Sequence, residues 1–231
     1  FTLTGTYAGT YAIVTSGFSD GVQIIDVSDP TDISPTDAET DNVNGFTVLD
    51  GASGVETFTV ASNSTATYAI VITSGPEDGI QMIDVSNPTA IVAVDAEVDD
   101  ANGFNILKDP GDVDVFTLGT STYAIVTSVT DDGVQIIDVS DPANIVAVDS
   151  LVDSGSLELD NARGVDTFKI NGNTYAIVTA DGDEDGVQII ELSTETGFTV
   201  TKSRIVTISE SISLADSTSI GGTANLFETV S

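Results

Sequence analysis

Short runs of apolar residues recur four times along the chain and are separated by acidic turns that contain glycine. A first run, TYAIVTS or a close variant, starts at a threonine, and a second run, GVQIIDV or a close variant, starts at a glycine. The first runs start at Thr10, Thr67, Thr122 and Thr174, and the second at Gly21, Gly79, Gly133 and Gly186. The spacing between equivalent tyrosines is 57, 55 and 52 residues, from Tyr11 through Tyr68 and Tyr123 to Tyr175. Self-similarity at such a period predicts a repeat architecture.

Each repeat predicts four short β-strands. In the second repeat the first strand covers residues 54–60 and the fourth covers residues 91–98, with the two repeated runs between them. The pair Asn171-Gly172 predicts a two-residue hairpin turn between the first and second strands. A DP or NP pair ends the third strand, because proline cannot donate a hydrogen bond to a ladder. The fourth strand of the first repeat, within DISPTDAETD, is the weakest because its apolar residues hardly alternate.

The apolar pattern favours a β-propeller over a β-sandwich. AIV and VQII are nearly continuous apolar runs, which indicates strands that are covered on both faces. Radially stacked propeller blades are antiparallel sheets of this kind, whereas a Greek-key sandwich does not explain a fourfold repeat. We therefore predict an all-β propeller of four antiparallel four-stranded repeats, alone or within a larger propeller or assembly. The predicted repeats are residues 1–50, 51–107, 108–160 and 161–206, followed by a strand or linker rich in serine and threonine at 207–231.

The chain is strongly acidic. Its 231 residues include 37 aspartates and glutamates but 5 lysines and arginines, which gives a net charge of −32. This charge argues against nucleic acid or an anionic membrane as a partner and favours cations, basic partners or salty surroundings. With neither cysteine nor histidine, thiolate and imidazole chemistry are excluded. No apolar stretch is long enough to span a bilayer.

The sequence starts inside its own repeat. FTLTG at Phe1 aligns with FTVAS at Phe58, FTLGT at Phe116 and FKING at Phe168. We therefore expect the chain to be a piece of a longer protein. Its four blades would close alone, pair with a second copy into a ring of eight, or belong to a larger ring.

The phrases GVQIIDVSDP and TYAIVTS, together with a DDG turn, resemble the LVIVD-repeat family of β-propellers. The resemblance covers residues 1–206. It implies the propeller fold and a place in a bacterial or archaeal cell-surface or secreted protein. It implies no catalytic residues, because that family is defined by its architecture.

The turn between the second and third strands is the candidate metal site. In the last repeat it reads DGDEDG, in which Asp181, Asp183 and Asp185 alternate as in the opening of a calcium loop. The distal bidentate glutamate of an EF-hand is missing. The alternative is a hairpin turn that needs aspartate and glycine for its backbone geometry. The equivalent turns keep one aspartate before the glycine, at Asp20, Asp78 and Asp132.

Three further features have structural and functional interpretations. The third strand ends in an acid in every repeat, at Asp26, Asp84, Asp138 and Glu191. These acids are predicted to cap backbone N–H groups of the following turn, although a ring of carboxylates lining a channel is the alternative. The repeated tyrosines are predicted to pack within blades rather than to stack on sugars. The tripeptide Asn63-Ser64-Thr65 makes Asn63 a candidate N-glycosylation site if the protein is secreted.

These features together predict a non-catalytic extracellular scaffold. It would act through self-association or contacts with other cell-envelope proteins, with calcium as a candidate ion and no other cofactor. A module that binds carbohydrate or a basic protein is the first alternative. A hydrolase or lyase that uses paired carboxylates is the second, because such pairs can cleave glycosidic bonds.

Overall fold

The computed structural model describes residues 1–154, 157–182 and 186–193, together with the backbone of the strand Thr201–Ile205. These residues form four antiparallel sheets of four strands each. Apart from one 3-10 turn at Gly5–Tyr7, the described residues contain no helix. None of them therefore belongs to a helix that is long and apolar enough to cross a membrane.

The strands of each sheet follow one another along the chain. The first sheet contains β1 (Thr2–Leu3), β2 (Gly9–Ser16), β3 (Gly21–Asp26) and β4 (Ser34–Thr40). The second contains β5 (Ala52–Val60), β6 (Asn63–Thr73), β7 (Gly79–Asp84) and β8 (Val92–Val98). The third contains β9 (Pro110–Leu118), β10 (Ser121–Ser128), β11 (Gly133–Asp138) and β12 (Val146–Val152). The fourth contains β13 (Ala162–Ile170), β14 (Asn173–Ala180), β15 (Gly186–Leu192) and β16 (Thr201–Ile205).

Turn chemistry fixes the register of these sheets. Asn171 and Gly172 have φ angles of 54° and 91°, which confirms the predicted two-residue turn, since both central residues need positive φ. The glycine that opens the third strand has a steric role. A Cβ on Gly79 would lie 2.4 Å from the carbonyl oxygen of Glu97 in the fourth strand. Gly21 and Gly133 have the equivalent contact at 2.4 and 2.5 Å.

The weakest predicted strand forms in the structure, with a shift of register between Ile24 and Ile25. β4 pairs with β3 in antiparallel register from Gly21↔Thr40 to Asp26↔Ser34. Its proline, Pro35, is tolerated because β4 is the outermost strand of its sheet. The side chain of Asp37 also accepts a hydrogen bond from the backbone N–H of Ile91 in the next sheet, at 2.8 Å. Pairing with β3 and this hydrogen bond to the next sheet stabilise β4, although its residues lack apolar alternation.

Consecutive sheets bury three apolar clusters between them. Ile24 of the first sheet shares a cluster with Val71 and Ile83 of the second. The two other clusters join the second sheet to the third and the third to the fourth. The first strands β5, β9 and β13 contact one another in turn, so the first strand of each sheet is innermost. This is the arrangement of blades in a β-propeller, and the four sheets are called blades 1 to 4 below.

The blades form an open arc. In the part of the chain that the structure describes, the extensive contacts between strands of different sheets all join consecutive blades. The chain between blades runs through three connections, which we define as connection 1 (residues 41–51), connection 2 (residues 99–109) and connection 3 (residues 153–161). Phe46 and Phe104 anchor the first two and are fully buried.

Candidate functional site: carboxylates and the end faces of the arc

Most of the repeated polar residues hold the blades together. Gln81, in the third strand of blade 2, is buried, and its Oε1 accepts hydrogen bonds from the backbone N–H groups of Thr47 (3.0 Å) and Val48 (3.3 Å) in connection 1. Its Nε2 donates to the carbonyl oxygen of Asp95 at 2.8 Å. The Oε1 of Gln188 likewise accepts from the N–H of Glu158 in connection 3 at 3.0 Å. In blades 2 and 4 this glutamine therefore ties the incoming connection to the blade that follows it.

Gln135 of blade 3 occupies the equivalent position but makes fewer bonds. Its Nε2 donates to the carbonyl oxygen of Asp149 at 2.7 Å. Its Oε1 is buried and has no hydrogen-bond partner. A buried acceptor without a partner is costly, and Gln135 makes no bond to connection 2 that matches the bonds of Gln81 to connection 1.

The aspartates that precede the turn glycines also join blades. Asp20, Asp78 and Asp132 have positive φ angles of 47°, 36° and 53°. Their Oδ1 atoms accept backbone N–H bonds from the end of the next connection, at Gly51 (3.4 Å), Asp109 (3.0 Å) and Asn161 (2.8 Å). These aspartates therefore provide the backbone geometry of the turn, as the hairpin-turn alternative predicts. They also contact the connection that leads into the next blade.

Three of the four acids in the third strands cap turns, as predicted. Asp26, Asp84 and Asp138 each accept a hydrogen bond on Oδ1 from the N–H of the serine two residues on, at 2.8 to 2.9 Å. This capping lowers the pKa of Asp26, through the hydrogen bonds from Ser28. In blade 4, Glu191 instead accepts from the side-chain amide of Asn173 at 3.1 Å.

The predicted calcium residues lie only partly within the described chain. Asp183 and Asp185 are outside it. The Oδ1 of Asp181 accepts hydrogen bonds from Arg163 Nε, at 2.5 Å, and from the side-chain amide of Asn161. No group of three or more carboxylates that could hold a metal occurs among the described residues. Calcium at Asp181, Asp183 and Asp185 stays a prediction.

The repeated tyrosines pack within blades, as predicted. Each packs against the phenylalanine beside it in the first strand or at its start, with ring centroids 5.7 to 6.0 Å apart. Three pairs are stacked, and Phe58–Tyr68 is tilted by 35°. The pairs are Phe1–Tyr11, Phe58–Tyr68, Phe116–Tyr123 and Phe168–Tyr175. Such a pair stabilises the hairpin by about 0.5–1.5 kcal/mol beyond its buried area.

The candidate glycosylation site is exposed. Asn63 is the first residue of β6, and its Oδ1 accepts a hydrogen bond from the Thr65 hydroxyl at 2.9 Å. A glycan attached there would extend into solvent. Modification of Asn63 stays a prediction.

The sequence analysis missed the carboxylates on the inner strands. Asp112 and Asp114 of β9 accept backbone N–H bonds from Val165 (3.0 Å) and Thr167 (2.7 Å) of β13. Each also accepts the N–H of the residue that follows it. Glu56 of β5 aligns with Asp114, and its pKa is raised by burial and by the neighbouring carboxylates. The sequence signal was the pair of acids at alternate positions of DVDVF, with Glu56 at the equivalent position of GVETF.

A second carboxylate cluster lies where connection 1 meets blade 2. The Oε2 of Glu77 accepts the N–H of Asp50 at 3.3 Å. Burial, followed by the charges of Asp20 and Asp41, raises the pKa of Asp50. Burial, followed by the charges of Asp41 and Asp50, raises the pKa of Glu77. These carboxylates repel one another across the junction between the two blades.

One face of blade 1 is open where the same face of the other blades is covered. We call it the rear face and define it by Val14, Gln23, Ile25 and Ile33. Val14 is 46% exposed, whereas the equivalent Val71 and Val126 are 0% exposed. Ile33 is 60% exposed, whereas the equivalent Ile91 and Ile145 are 5% and 4% exposed. Two grooves of about 260 Å³ each meet at Gln23 on this face.

The opposite end of the arc has a second open face. We call it the front face of blade 4 and define it by Tyr175, Ile177, Val187 and Ile189. All four are partly exposed. The residues at the same positions in blade 3 are buried against blade 4. They are Tyr123, Ile125, Val134 and Ile136.

Comparison with solved structures supports the propeller fold. The chain is similar to a candidate 6-phosphogluconolactonase from Bacteroides uniformis (TM-score 0.55, 13% identity), over 87% of this chain and 54% of the other. It is also similar to an exo-β-1,3-galactanase from Phanerochaete chrysosporium (TM-score 0.52, 11% identity), over 89% of this chain and 53% of the other. A third similar structure is an endo-1,4-β-xylanase from Bacteroides thetaiotaomicron (TM-score 0.52, 16% identity), over 84% of this chain and 67% of the other. The chain thus spans about half the length of the first two.

No protein-family model matches the sequence, and no curated protein matches it. At these identities the similarity shows the fold alone, and one fold carries many functions. The predicted β-propeller is confirmed, and function has to be argued from the residues of this chain.

Proposed function

We propose that this chain is a non-catalytic scaffold module of the cell surface that assembles through the open faces of its end blades. The exposed rear face of blade 1 carries the proposal. Its residues are the same types, at the same positions, as those that hold connections and neighbouring blades elsewhere in the arc. An exposed apolar sheet face of this kind is typical of a protein–protein contact.

The chemistry of the rear face suits another blade. Burying a valine or isoleucine contributes about 1.5–3 kcal/mol, so covering Val14 and Ile33 favours association. Gln23 is exposed, whereas Gln81 and Gln188 use the same amide to accept backbone N–H bonds from a connection. The rear face thus offers apolar contact and a backbone-binding amide together.

Sedimentation velocity over a range of concentrations tests this proposal. We expect the wild-type chain to associate, and we expect Val14→Asp to weaken association by more than about tenfold because it places a charge in the contact. Val92→Asp is the matched control, since Val92 is 57% exposed on blade 2, which has a neighbour on each side. A wild-type chain that stays monomeric at all concentrations and salt conditions would refute the proposal.

An extracellular location completes the proposal. It rests on the acidic surface, with its net charge of −32, and on the resemblance of the repeat to a family of surface and secreted proteins. Calcium bridging of carboxylates would strengthen such assemblies. Glycosylation at Asn63 in the native protein, detected by mass spectrometry before and after deglycosylation, would support secretion.

A carboxylate-based hydrolase is the second candidate. The raised pKa of Glu56 suits a general acid, and two of the similar structures are glycoside hydrolases. Against it, Asp112 and Asp114 already bind backbone N–H groups with both of their oxygens. Release of reducing sugar from β-1,3-galactan or β-1,4-xylan, lost in Glu56→Gln, would favour this candidate over the scaffold.

A further inference from the structure

We infer that the partner of the rear face is the front face of blade 4 in a second copy of this chain, so that two copies close head-to-tail into a ring of eight blades. This inference rests on the proposed function and names its partner. Each copy would give its front face to one contact and its rear face to the other. The ring would therefore contain two identical contacts and no open blade.

The three contacts inside the chain are the template for this arrangement. In each of them the front face of one blade covers the rear face of the next. Ile125 and Ile136 of blade 3 thus share a cluster with Val178 and Ile190 of blade 4. Among the residues that the structure describes, one front face and one rear face are open, and the open residues match these types. Ile177 and Ile189 correspond to the first pair, and Val14 and Ile25 correspond to the second.

The charge distribution favours head-to-tail over head-to-head contacts. Residues 1–50 contain eight acidic and no basic residues. Residues 161–206 contain seven acidic residues and four of the chain's five basic residues. These four are Arg163, Lys169, Lys202 and Arg204. Pairing blade 1 with blade 4 therefore sets net charges of −8 (0 − 8) and −3 (4 − 7) against each other. These charges repel less than the −8 and −8 that a contact of blade 1 with blade 1 would bring together.

The extent of the arc is consistent with half of a closed ring. The chain covers 54% of the similar structure from Bacteroides uniformis while 87% of its own length is aligned. The aligned part of this chain therefore corresponds to about half of that structure. A second copy supplies the other half with the same types of contact.

Mass and salt dependence test the ring first. By light scattering after size exclusion, we expect a species with twice the 23.7 kDa mass of the chain. Because each copy carries a charge of −32, its dissociation constant should fall as sodium chloride rises from about 0.05 M to about 0.5 M and screens the repulsion. An oligomer of another size, or an open series that grows with concentration, would overturn the ring and leave the scaffold function standing.

Variants of the two faces test the orientation. Val14→Asp and Ile177→Asp should each weaken the dimer by more than about tenfold, because each buries a charge without a partner. An equimolar mixture of the two variants should recover a weak dimer. One intact rear face, from the Ile177→Asp chain, then meets one intact front face, from the Val14→Asp chain. Val92→Asp should dimerise as the wild type does, and circular dichroism should show that all variants keep their strands.

The mixture separates the possible outcomes. Head-to-head contacts through blade 1 would leave Ile177→Asp fully dimeric and would give no recovery in the mixture, which would overturn the inference but not the scaffold function. A wild-type chain that never associates would overturn both.

Discussion

Asp78 Oδ1 accepts a hydrogen bond from the backbone N–H of Asp109 at 3.0 Å, and so joins the turn of blade 2 to the end of the connection that leads into blade 3. The same oxygen accepts the N–H of Gly75 within its own turn at 3.2 Å. One carboxylate oxygen therefore stabilises both a left-handed turn residue and a contact between blades. The repeat needs aspartate here for two separate reasons.

Replacing Asp78 should separate these two roles. Asp78→Gly keeps the positive φ of 36° without strain but removes the acceptor. We expect it to destabilise the protein by about 1–3 kcal/mol, because the Asp109 N–H loses its partner. Asp78→Asn keeps an acceptor and tolerates positive φ, so it should cost less than Asp78→Gly. Urea unfolding followed by circular dichroism measures both variants.

The equivalent change in blade 1 is the control for this comparison. The bond from Gly51 to Asp20 is longer, at 3.4 Å. Asp20→Gly should therefore cost less than Asp78→Gly. Equal effects at the two positions would contradict a larger contribution from the shorter Asp78–Asp109 bond.

The repeated glutamine should matter more in blade 2 than in blade 3. Gln81→Leu leaves the N–H groups of Thr47 and Val48 without their acceptor, whereas Gln135→Leu leaves no N–H group unpaired because the Oε1 of Gln135 has no partner. Both variants lose the bond from Nε2 to a carbonyl oxygen of the fourth strand. We expect Gln81→Leu to lower the free energy of unfolding by about 1–3 kcal/mol more than Gln135→Leu.

Thermal and urea unfolding of the two glutamine variants under identical conditions provide the measurement. Hydrogen exchange should also locate the effect, because the Thr47 and Val48 amides should lose protection only in Gln81→Leu. Equal destabilisation by the two variants, with these amides still protected, would contradict the role assigned to Gln81.

The strands were predictable because they are decided locally. Short apolar runs and a glycine at the start of each third strand recur in every repeat, and the Asn-Gly turn at Asn171 is a strong signal alone. The blades could therefore be outlined from the sequence. The acid caps at Asp26, Asp84 and Asp138 were predictable for the same reason, since donor and acceptor lie two residues apart.

The contacts between blades were not predictable in the same way. Asp114 and Thr167 are 53 residues apart, and nothing near either residue in the sequence indicates the other. β4 was underestimated because its strand state depends on pairing with β3 and on the contact from Asp37 to Ile91. The open rear face depends on which neighbours are present, whereas the residues at its positions are nearly the same in all four repeats.

Acidification should stabilise the junction between connection 1 and blade 2. The pKa values of Asp50 and Glu77 are raised in the native state. At pH values just above the ordinary pKa of these groups, the native state therefore holds more protons than the unfolded state. Stability from these groups therefore falls as pH rises through that window and is regained as pH falls. We expect Asp50→Asn/Glu77→Gln to melt at a higher temperature than the wild type at pH 7. The difference should shrink towards about pH 5.

A control with the same charge change isolates this effect. Asp32→Asn/Asp166→Asn also removes two negative charges, at exposed positions on blades 1 and 4. It should change the melting temperature less than the junction variant at pH 7. If the two double variants gave the same melting curves at every pH, general charge repulsion would explain the stabilisation without the local cluster.

Calcium should raise the melting temperature if the last turn binds it as the sequence predicts. Asp181 forms an ion pair with Arg163, and both side chains are 53% exposed. Because exposed pairs contribute little, calcium could displace Arg163 at small cost. The expected result is a calorimetric heat of binding and a melting temperature that falls on adding EDTA, both lost in Asp183→Asn/Asp185→Asn. Asp20→Asn, in the equivalent turn of blade 1 with its single aspartate, should leave the calcium response unchanged. A wild-type chain with no heat and no EDTA effect would leave Asp181 with a structural role alone, as the partner of Arg163 and Asn161 at the start of the turn.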